Sequence, residues 1–148
     1  MPTYICRAHE SLLTAEQKRV VARAITDAHA GITGAPAYFA QVQFHALPAR
    51  DIFVAGTPLA HDHLFIHGYI RGGRSALERK RLITRIVGDV ASAIEIPAFA
   101  IWVYISELPA AAMAEFGRVL PEPGNEAAWI DGLPADDRAL LQAIAADA

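Results

Sequence analysis

The sequence has few of the features that mark secreted, membrane or nucleic-acid-binding proteins. It contains a single cysteine, Cys6, so no disulfide can form within the chain and a reducing compartment is favoured. Lys and Arg number 13 against 16 Asp and Glu, a near balance that offers no basic surface to nucleic acid or anionic lipid. The longest apolar stretch, Ile96 to Ile105, is too short to span a bilayer. With no basic-then-apolar leader at its start, the sequence predicts a cytoplasmic protein.

Apolar residues, in contrast, are abundant. They make up 53% of the 148 residues, and the mean hydropathy is +0.25, which is high for a small domain. A chain of this length forms one domain, 1–148, or two small units that share a core. The surplus of apolar side chains predicts that some of them are buried between subunits.

Hydrophobic periodicity predicts two β-α-β units in tandem, at about 2–46 and 63–106, followed by a tail over 107–148. Strand, helix and strand of the second unit each follow their counterparts by about 60 residues, which suggests duplication. Right-handed crossovers give parallel strand pairs within each unit and place the helices on one face of the sheet. We therefore expect an α+β fold.

Each predicted helix begins at a capping box, Thr14 with Gln17 and Ser75 with Glu78, in which side chains satisfy free backbone N–H groups. Apolar residues then recur at helical spacing, and glycine or proline follows each stripe. The two stripes consist of Val20, Val21, Ala24, Ile25 and Ala28, and of Leu82, Ile83, Ile86, Val87 and Val90.

The segments outside the two units are less regular. Ile52 to Val54 predicts a small strand or hairpin between the units. The tail from Leu108 to Gly132 is rich in proline and glycine, and a final helix begins at about Pro134. The predicted apolar face of this helix consists of Leu140, Leu141 and Ile144.

Pro2 is the first residue whose chemistry could exceed a structural role. Proline is common at strand starts, and Pro2 begins the strand-like segment that runs to Cys6. If Met1 were removed, Pro2 would carry a secondary amine, and a terminal amine titrates at about pH 8, within reach of acid or base catalysis. Position alone leaves both interpretations open.

A second feature is the segment Arg71-Gly72-Gly73-Arg74-Ser75, between a predicted strand and a capped helix. Two guanidinium groups and the free N–H groups of a helix start converge there, a combination that binds carboxylate or phosphate. Turns of this composition are also common on solvated surfaces. The alternative is therefore a turn with two exposed arginines.

Histidines offer two further candidates. His63 and His67 share the parity of one strand, close to His61 and Asp62, but four residues of strand separate them by roughly 13 Å, too far for one metal ion. We therefore predict no metal site. His29 lies beside the apolar stripe at the C-terminal end of the first helix, where the helix dipole favours its protonated form.

Two polar residues follow the second unit's helix. Tyr104 ends the buried run from Ile101 to Val103, and its hydroxyl needs a partner if it is buried. Glu115 lies in the tail, where the alternative to a functional role is a surface glutamate paired with an arginine. Neither residue indicates a function alone.

Taken together, these segments resemble the tautomerase superfamily and, within it, the cis-3-chloroacrylic acid dehalogenase group. The resemblance covers nearly the whole chain, and several spaced motifs in this order are more specific than any one of them. The segments are Pro2-Thr3-Tyr4, Ala24-Ile25-Thr26-Asp27-Ala28-His29, Arg71-Gly72-Gly73-Arg74-Ser75, Ile101-Trp102-Val103-Tyr104, Glu115-Phe116-Gly117-Arg118 and Leu120-Pro121-Glu122-Pro123-Gly124.

The resemblance implies roles for six residues and no cofactor. The implied catalytic residues are Pro2, freed by loss of Met1, Tyr104 and Glu115. The implied substrate-binding residues are His29, Arg71 and Arg74. Such proteins are homotrimers, which would account for the apolar surplus.

The implied activity is cofactor-free hydration or hydrolytic dehalogenation of small unsaturated carboxylates, such as cis-3-haloacrylate and propiolate-like acids, to malonate semialdehyde. The arginines and His29 would hold the carboxylate. Glu115, oriented by Tyr104, would activate water, and protonated Pro2 would protonate the α-carbon.

Two positions of the implied pocket wall depart from the group. Ala35 and Phe39 stand where the dehalogenase has threonine and leucine. A lost hydroxyl and an added ring alter the wall, so we expect family chemistry with relaxed specificity.

Two other functions remain open. A keto–enol tautomerase would use Pro2 as a base, which requires a lower amine pKa. A binding or assembly protein that kept the fold without catalysis would follow if Met1 stayed attached, because Pro2 would then form a tertiary amide with no proton to exchange.

Overall fold

The computed structural model describes residues 2–48 and 50–146. Over those residues the chain follows the predicted order of strand, helix and strand, twice, and then adds a tail. The strands are β1 (Thr3–His9), β2 (Gln41–Leu47), β3 (Phe53–Val54), β4 (Thr57–Pro58), β5 (Leu64–Arg71), β6 (Ile101–Leu108), β7 (Ala114–Glu115) and β8 (Arg118–Val119). The helices are α1 (Ala15–Thr33), α2 (Ala76–Ile94), α3 (Glu126–Asp131) and α4 (Ala135–Ala146).

Both predicted capping boxes are present and set the starts of the two long helices. In α1 the Thr14 N–H donates to Gln17 Oε1 over 3.0 Å, and the Gln17 N–H donates to Thr14 Oγ1 over 3.2 Å. In α2 the Ser75 N–H donates to Glu78 Oε2 over 2.8 Å, and the Glu78 N–H donates back to Ser75 Oγ over 3.2 Å. Each box satisfies N–H groups that the first helical turn leaves free.

The described strands include a four-stranded sheet in the order β2-β1-β5-β6. β1 pairs with β2 and β5 pairs with β6 in parallel, as predicted for two β-α-β units. The units join through β1 and β5, which run antiparallel, with Thr3 opposite Tyr69. This register brings the start of β1 beside the end of β5.

The core lies between the sheet and the two long helices, which pack on the same face. On the two central strands, residues that point to the helices are buried, for example Tyr4 and Ile66 at 0% exposure, whereas Val42 of β2 and Val103 of β6 are partly buried. Trp102 and Tyr104, which alternate with core residues of β6, are 43% and 55% exposed on the opposite face. We call that opposite side the open face of the sheet. The α+β prediction with helices on one face is confirmed.

The connections confirm part of the prediction and correct another part. The predicted hairpin between the units is formed by β3 and β4. The final helix begins at Ala135, close to its predicted start, but Leu140 and Ile144 are exposed and only Leu141 of its predicted apolar face is buried, against Phe39 and Leu133. Of the described helices, none has the length and apolar character needed to cross a membrane.

Gly68 makes room for the most deeply buried aromatic ring of the core. A Cβ atom at this position would lie 2.5 Å from Tyr4 Cε1 and 2.9 Å from Ile105 Cδ1. Tyr4 is the cross-strand partner of Gly68, so the ring lies against the bare backbone of its neighbour. The absence of a side chain at Gly68 therefore sets the position of the Tyr4 ring.

We expect Gly68→Ala to lower the free energy of unfolding by about 1–3 kcal/mol, because the added methyl overpacks a closed core. Urea unfolding measures this change. The control is Gly88→Ala in α2, where the new methyl meets nothing within 4 Å outside its own helix and should raise stability by up to about 1 kcal/mol. A Gly68→Ala protein as stable as wild type would contradict the proposed contact.

Candidate active site

A cavity lies between the start of β1, the ends of α1 and β5, and the tail. Its empty volume is about 460 Å³, with open solvent at the mouth included. Six residues singled out in the sequence line it, namely Pro2, His29, Ala35, Phe39, Arg71 and Arg74. The tail supplies Leu120, Pro121, Glu126 and Trp129 to the same cavity.

Pro2 is buried at one wall of this cavity. Its carbonyl accepts a hydrogen bond from the Gln41 N–H over 3.0 Å, which ties the beginning of the chain to the adjacent strand. Met1, whose removal the predicted role of Pro2 requires, lies outside the described residues.

Arg74 is fixed through its backbone. Its N–H donates to Glu107 Oε1 over 3.1 Å, and Arg79 donates to both the Arg74 carbonyl and Glu107 Oε2, the latter over 2.7 Å. Among the described residues, the Arg74 guanidinium itself makes no hydrogen bond. The turn therefore holds the Arg74 main chain and leaves its cationic end available to a ligand.

Arg71 is buried, with 8% of its surface exposed. Nη1 donates to the Pro121 carbonyl over 2.7 Å, and Nη2 donates to a Glu126 carboxylate oxygen. Nε is buried and has no hydrogen-bond partner in the described part of the chain. Arg71 therefore keeps one N–H donor that the described residues do not satisfy.

His29 is oriented by a buried hydrogen bond. The Tyr4 hydroxyl lies 2.8 Å from His29 Nδ1, which leaves Nε2 as the ring nitrogen available to a ligand. Burial, followed by the charge of Arg74, lowers the pKa of His29 to about 4. The helix dipole favours the protonated form of His29, but burial and the neighbouring cation outweigh it.

This pKa predicts how acid affects stability. His29 stays neutral in the folded state to about pH 4, whereas an unfolded histidine binds a proton below about 6.5, so stability present above pH 6.5 is lost as the pH falls towards 4. We expect His29→Gln to reduce this loss when urea unfolding is compared at neutral and acidic pH. His45→Gln, an exposed position of β2, serves as the control and should retain it. An unchanged pH dependence in His29→Gln would contradict the assignment.

Glu115 lies beside the cavity rather than in its wall. It lines an adjoining groove that shares Phe39 with the cavity, and its side chain is partly buried at the end of β7. Burial raises the pKa of Glu115, while the Arg71 guanidinium acts in the opposite direction. A carboxylate with a raised pKa is a better proton acceptor than one on the surface.

Tyr104 is not brought to the cavity within one chain. It lies on the open face, with its ring 5.1 Å from that of Phe65. The sheet separates this face from α1, which carries His29.

No group of three or more His, Cys, Asp or Glu side chains suited to a metal ion occurs in the described ranges. The two strand histidines have other neighbours. His67 Nε2 lies 2.8 Å from Ser106 Oγ, and the ring of His63 lies 5.0 Å from that of Trp102.

Sequence reasoning missed two residues that complete the site. Tyr4 could have been found, since a buried tyrosine needs a hydroxyl partner and His29 lies on the helix face that covers it. Glu126 gave no signal, because its partner, Arg71, is 55 residues away and the tail between them has no regular pattern.

Two features together define a class of protein. One is the small α+β fold of two β-α-β units, and the other is a cavity lined by Pro2 and two arginines. The chain belongs to the tautomerase superfamily, since residues 1–132 match the family described as "Putative oxalocrotonate tautomerase enzyme". The resemblance found in the sequence is confirmed. None of the curated proteins matches the sequence at a significant level.

Solved structures place the chain near one group of this superfamily. N1, a member of the cis-3-chloroacrylic acid dehalogenase family, is 36% identical, with a TM-score of 0.90 over 95% of this chain and 98% of that one. The FG41 malonate semialdehyde decarboxylase inhibited by 3-bromopropiolate is 20% identical, with a TM-score of 0.69 over 89% and 99%. A fused 4-OT asymmetric trimer is 23% identical, with a TM-score of 0.73 over 79% and 94%. The last two show similarity of fold.

Proposed function

We propose that this protein is a cofactor-free hydratase and hydrolytic dehalogenase of small unsaturated monocarboxylic acids, such as cis-3-haloacrylate and propiolate. The observation that carries the proposal is the gathering of Pro2, His29, Arg71 and Arg74 in one cavity. Similarity to the N1 protein over nearly the whole of both chains supports the choice of chemistry.

The substrate carboxylate binds at the cationic side of the cavity. Arg74 offers its guanidinium, and neutral His29 donates from Nε2 while Tyr4 holds Nδ1. Arg71, whose unpaired Nε is buried, adds its positive charge at the cavity wall. These donors withdraw electron density through the carboxylate, so the β-carbon becomes open to attack by water.

Glu115 takes a proton from the attacking water. Its raised pKa and its position beside the cavity suit it to this task. Water oxygen bonds to the β-carbon, and protonated Pro2 delivers a proton to the α-carbon after loss of Met1. For a haloacrylate, the resulting halohydrin loses halide and a proton and gives malonate semialdehyde. For propiolate, the enol product becomes the same aldehyde.

Tyr104 joins this site from a second subunit. It is exposed on the open face, away from the cavity of its own chain, and that face carries apolar rings that a partner would cover. A homotrimer of this chain would provide such a partner, and the fused 4-OT protein of similar fold is a trimer. In the trimer Tyr104 orients the water-activating Glu115 of a neighbouring site.

The cavity wall suits relaxed specificity. Ala35 and Phe39 line it and offer no hydroxyl group to distinguish one halide or geometric isomer from another. Selectivity then depends on the shape of an apolar wall, which discriminates weakly between small substrates.

The direct test is turnover by protein whose loss of Met1 has been verified by intact mass. We expect halide release from cis-3-haloacrylate and aldehyde formation from propiolate. Pro2→Ala should lose most of the activity, although its primary amine can substitute in part. Processed protein that is inactive on both acids but ketonises an enol would overturn this proposal in favour of a tautomerase that uses Pro2 as a base.

The Glu115→Gln variant distinguishes an effect on the chemical step from an effect on substrate binding. We expect kcat for halide release to fall by about 100-fold or more, because general-base catalysis contributes at least this much, while affinity for the acid changes little. Glu16→Gln, at an exposed position in the first turn of α1, should behave as wild type. Normal turnover by Glu115→Gln would show that another group activates water.

A further inference from the structure

The positive charge of Arg71 is already paired with acceptors of the protein before a ligand binds. Its two terminal nitrogens donate to the Pro121 carbonyl and the Glu126 carboxylate, and Nε alone is left without a partner among residues 2–48 and 50–146. A substrate therefore cannot take the two-pronged Arg71 contact that an unoccupied guanidinium would offer.

Glu126 is built into this position. It begins α3, and its second carboxylate oxygen accepts the Gly124 N–H over 2.9 Å. Burial acts to raise the pKa of Glu126, but hydrogen bonds and charge from Arg71, with the backbone N–H groups, outweigh burial and lower it. Glu126 is therefore ionised at neutral pH and lines the cavity as a fixed negative charge.

The charges at the cavity favour one bound carboxylate and disfavour a second. At and beside the cavity, Arg71, Arg74 and the Pro2 ammonium of the proposed mechanism are positive, Glu126 and the neighbouring Glu115 are negative and His29 is neutral, so one net positive charge faces a ligand. One carboxylate balances it. A second carboxylate in this confined space would have no cation left to pair with and would be repelled by Glu126.

We propose that Glu126 is a specificity residue whose carboxylate, by occupying Arg71, selects monocarboxylates over dicarboxylates. This inference rests on the proposed function, because it takes the cavity to be a carboxylate site. Glu126 contacts Arg71, which lies at the substrate site. Its negative charge affects which acid the cavity binds.

The test compares two saturated acids of equal carbon number, propionate and malonate, which cannot be hydrated. Their equilibrium dissociation constants are measured on the processed full-length protein by calorimetry or by the fluorescence of Trp129, which lines the cavity. Wild type should prefer propionate. In Glu126→Gln the ratio of the two affinities should shift towards malonate by about tenfold or more, as expected when one nearby charge is removed.

Two matched variants separate charge from structure. Glu122→Gln removes the same charge from an exposed position of the same loop and should leave the ratio unchanged. Glu126→Asp keeps the charge on a shorter side chain and should keep the preference for propionate, even if the loop packs less well.

The outcomes are distinguishable. If both acids bind but Glu126→Gln keeps the wild-type ratio, or if Glu126→Asp shifts it as much as Glu126→Gln does, this inference is overturned and the proposed function stands. If wild type binds neither acid nor turns over an unsaturated one, the carboxylate site itself is wrong and both fail.

Discussion

A guanidinium cannot lose its proton under any ordinary condition, so burying Arg71 obliges the chain to surround it with acceptors. With 8% of its surface exposed, Arg71 receives those acceptors from the Pro121 carbonyl and the Glu126 carboxylate. Both belong to the part of the tail that follows β6, outside the strands and helices of the tandem units. The need to pair one buried charge thus explains why the tail packs over the end of the sheet and encloses a cavity there.

The two halves of the chain repeat each other in structure but not in chemistry. The antiparallel pairing of β1 with β5 sets Thr3 opposite Tyr69, which brings the start of the first unit beside the last residues of β5. Pro2 and Arg71 therefore meet at one end of the sheet, although they come from equivalent strands that run in opposite directions. A duplicated frame becomes an asymmetric site because the beginning of one copy lies against the end of the other.

Much of the frame could be predicted because its determinants are local. Thr14 and Ser75 start helices through bonds that span three residues, and the alternation in β1 and β5 depends on neighbours two positions apart. The arginine turn could be recognised for the same reason. The charge state of His29 could not, since it depends on burial under Tyr4 and on Arg74, which lies in the other unit.

The sequence by itself determined the order of elements, the helix starts, the parallel pairing within each unit and the family to which the chain belongs. These follow from short-range hydrogen bonds and from the periodicity of apolar side chains. Only the tertiary structure decided that Glu126 occupies Arg71, that His29 is neutral and that Tyr104 faces away from the cavity of its own chain. Those facts depend on burial and on charges brought together across tens of residues, where electrostatic interactions are strong because water is excluded.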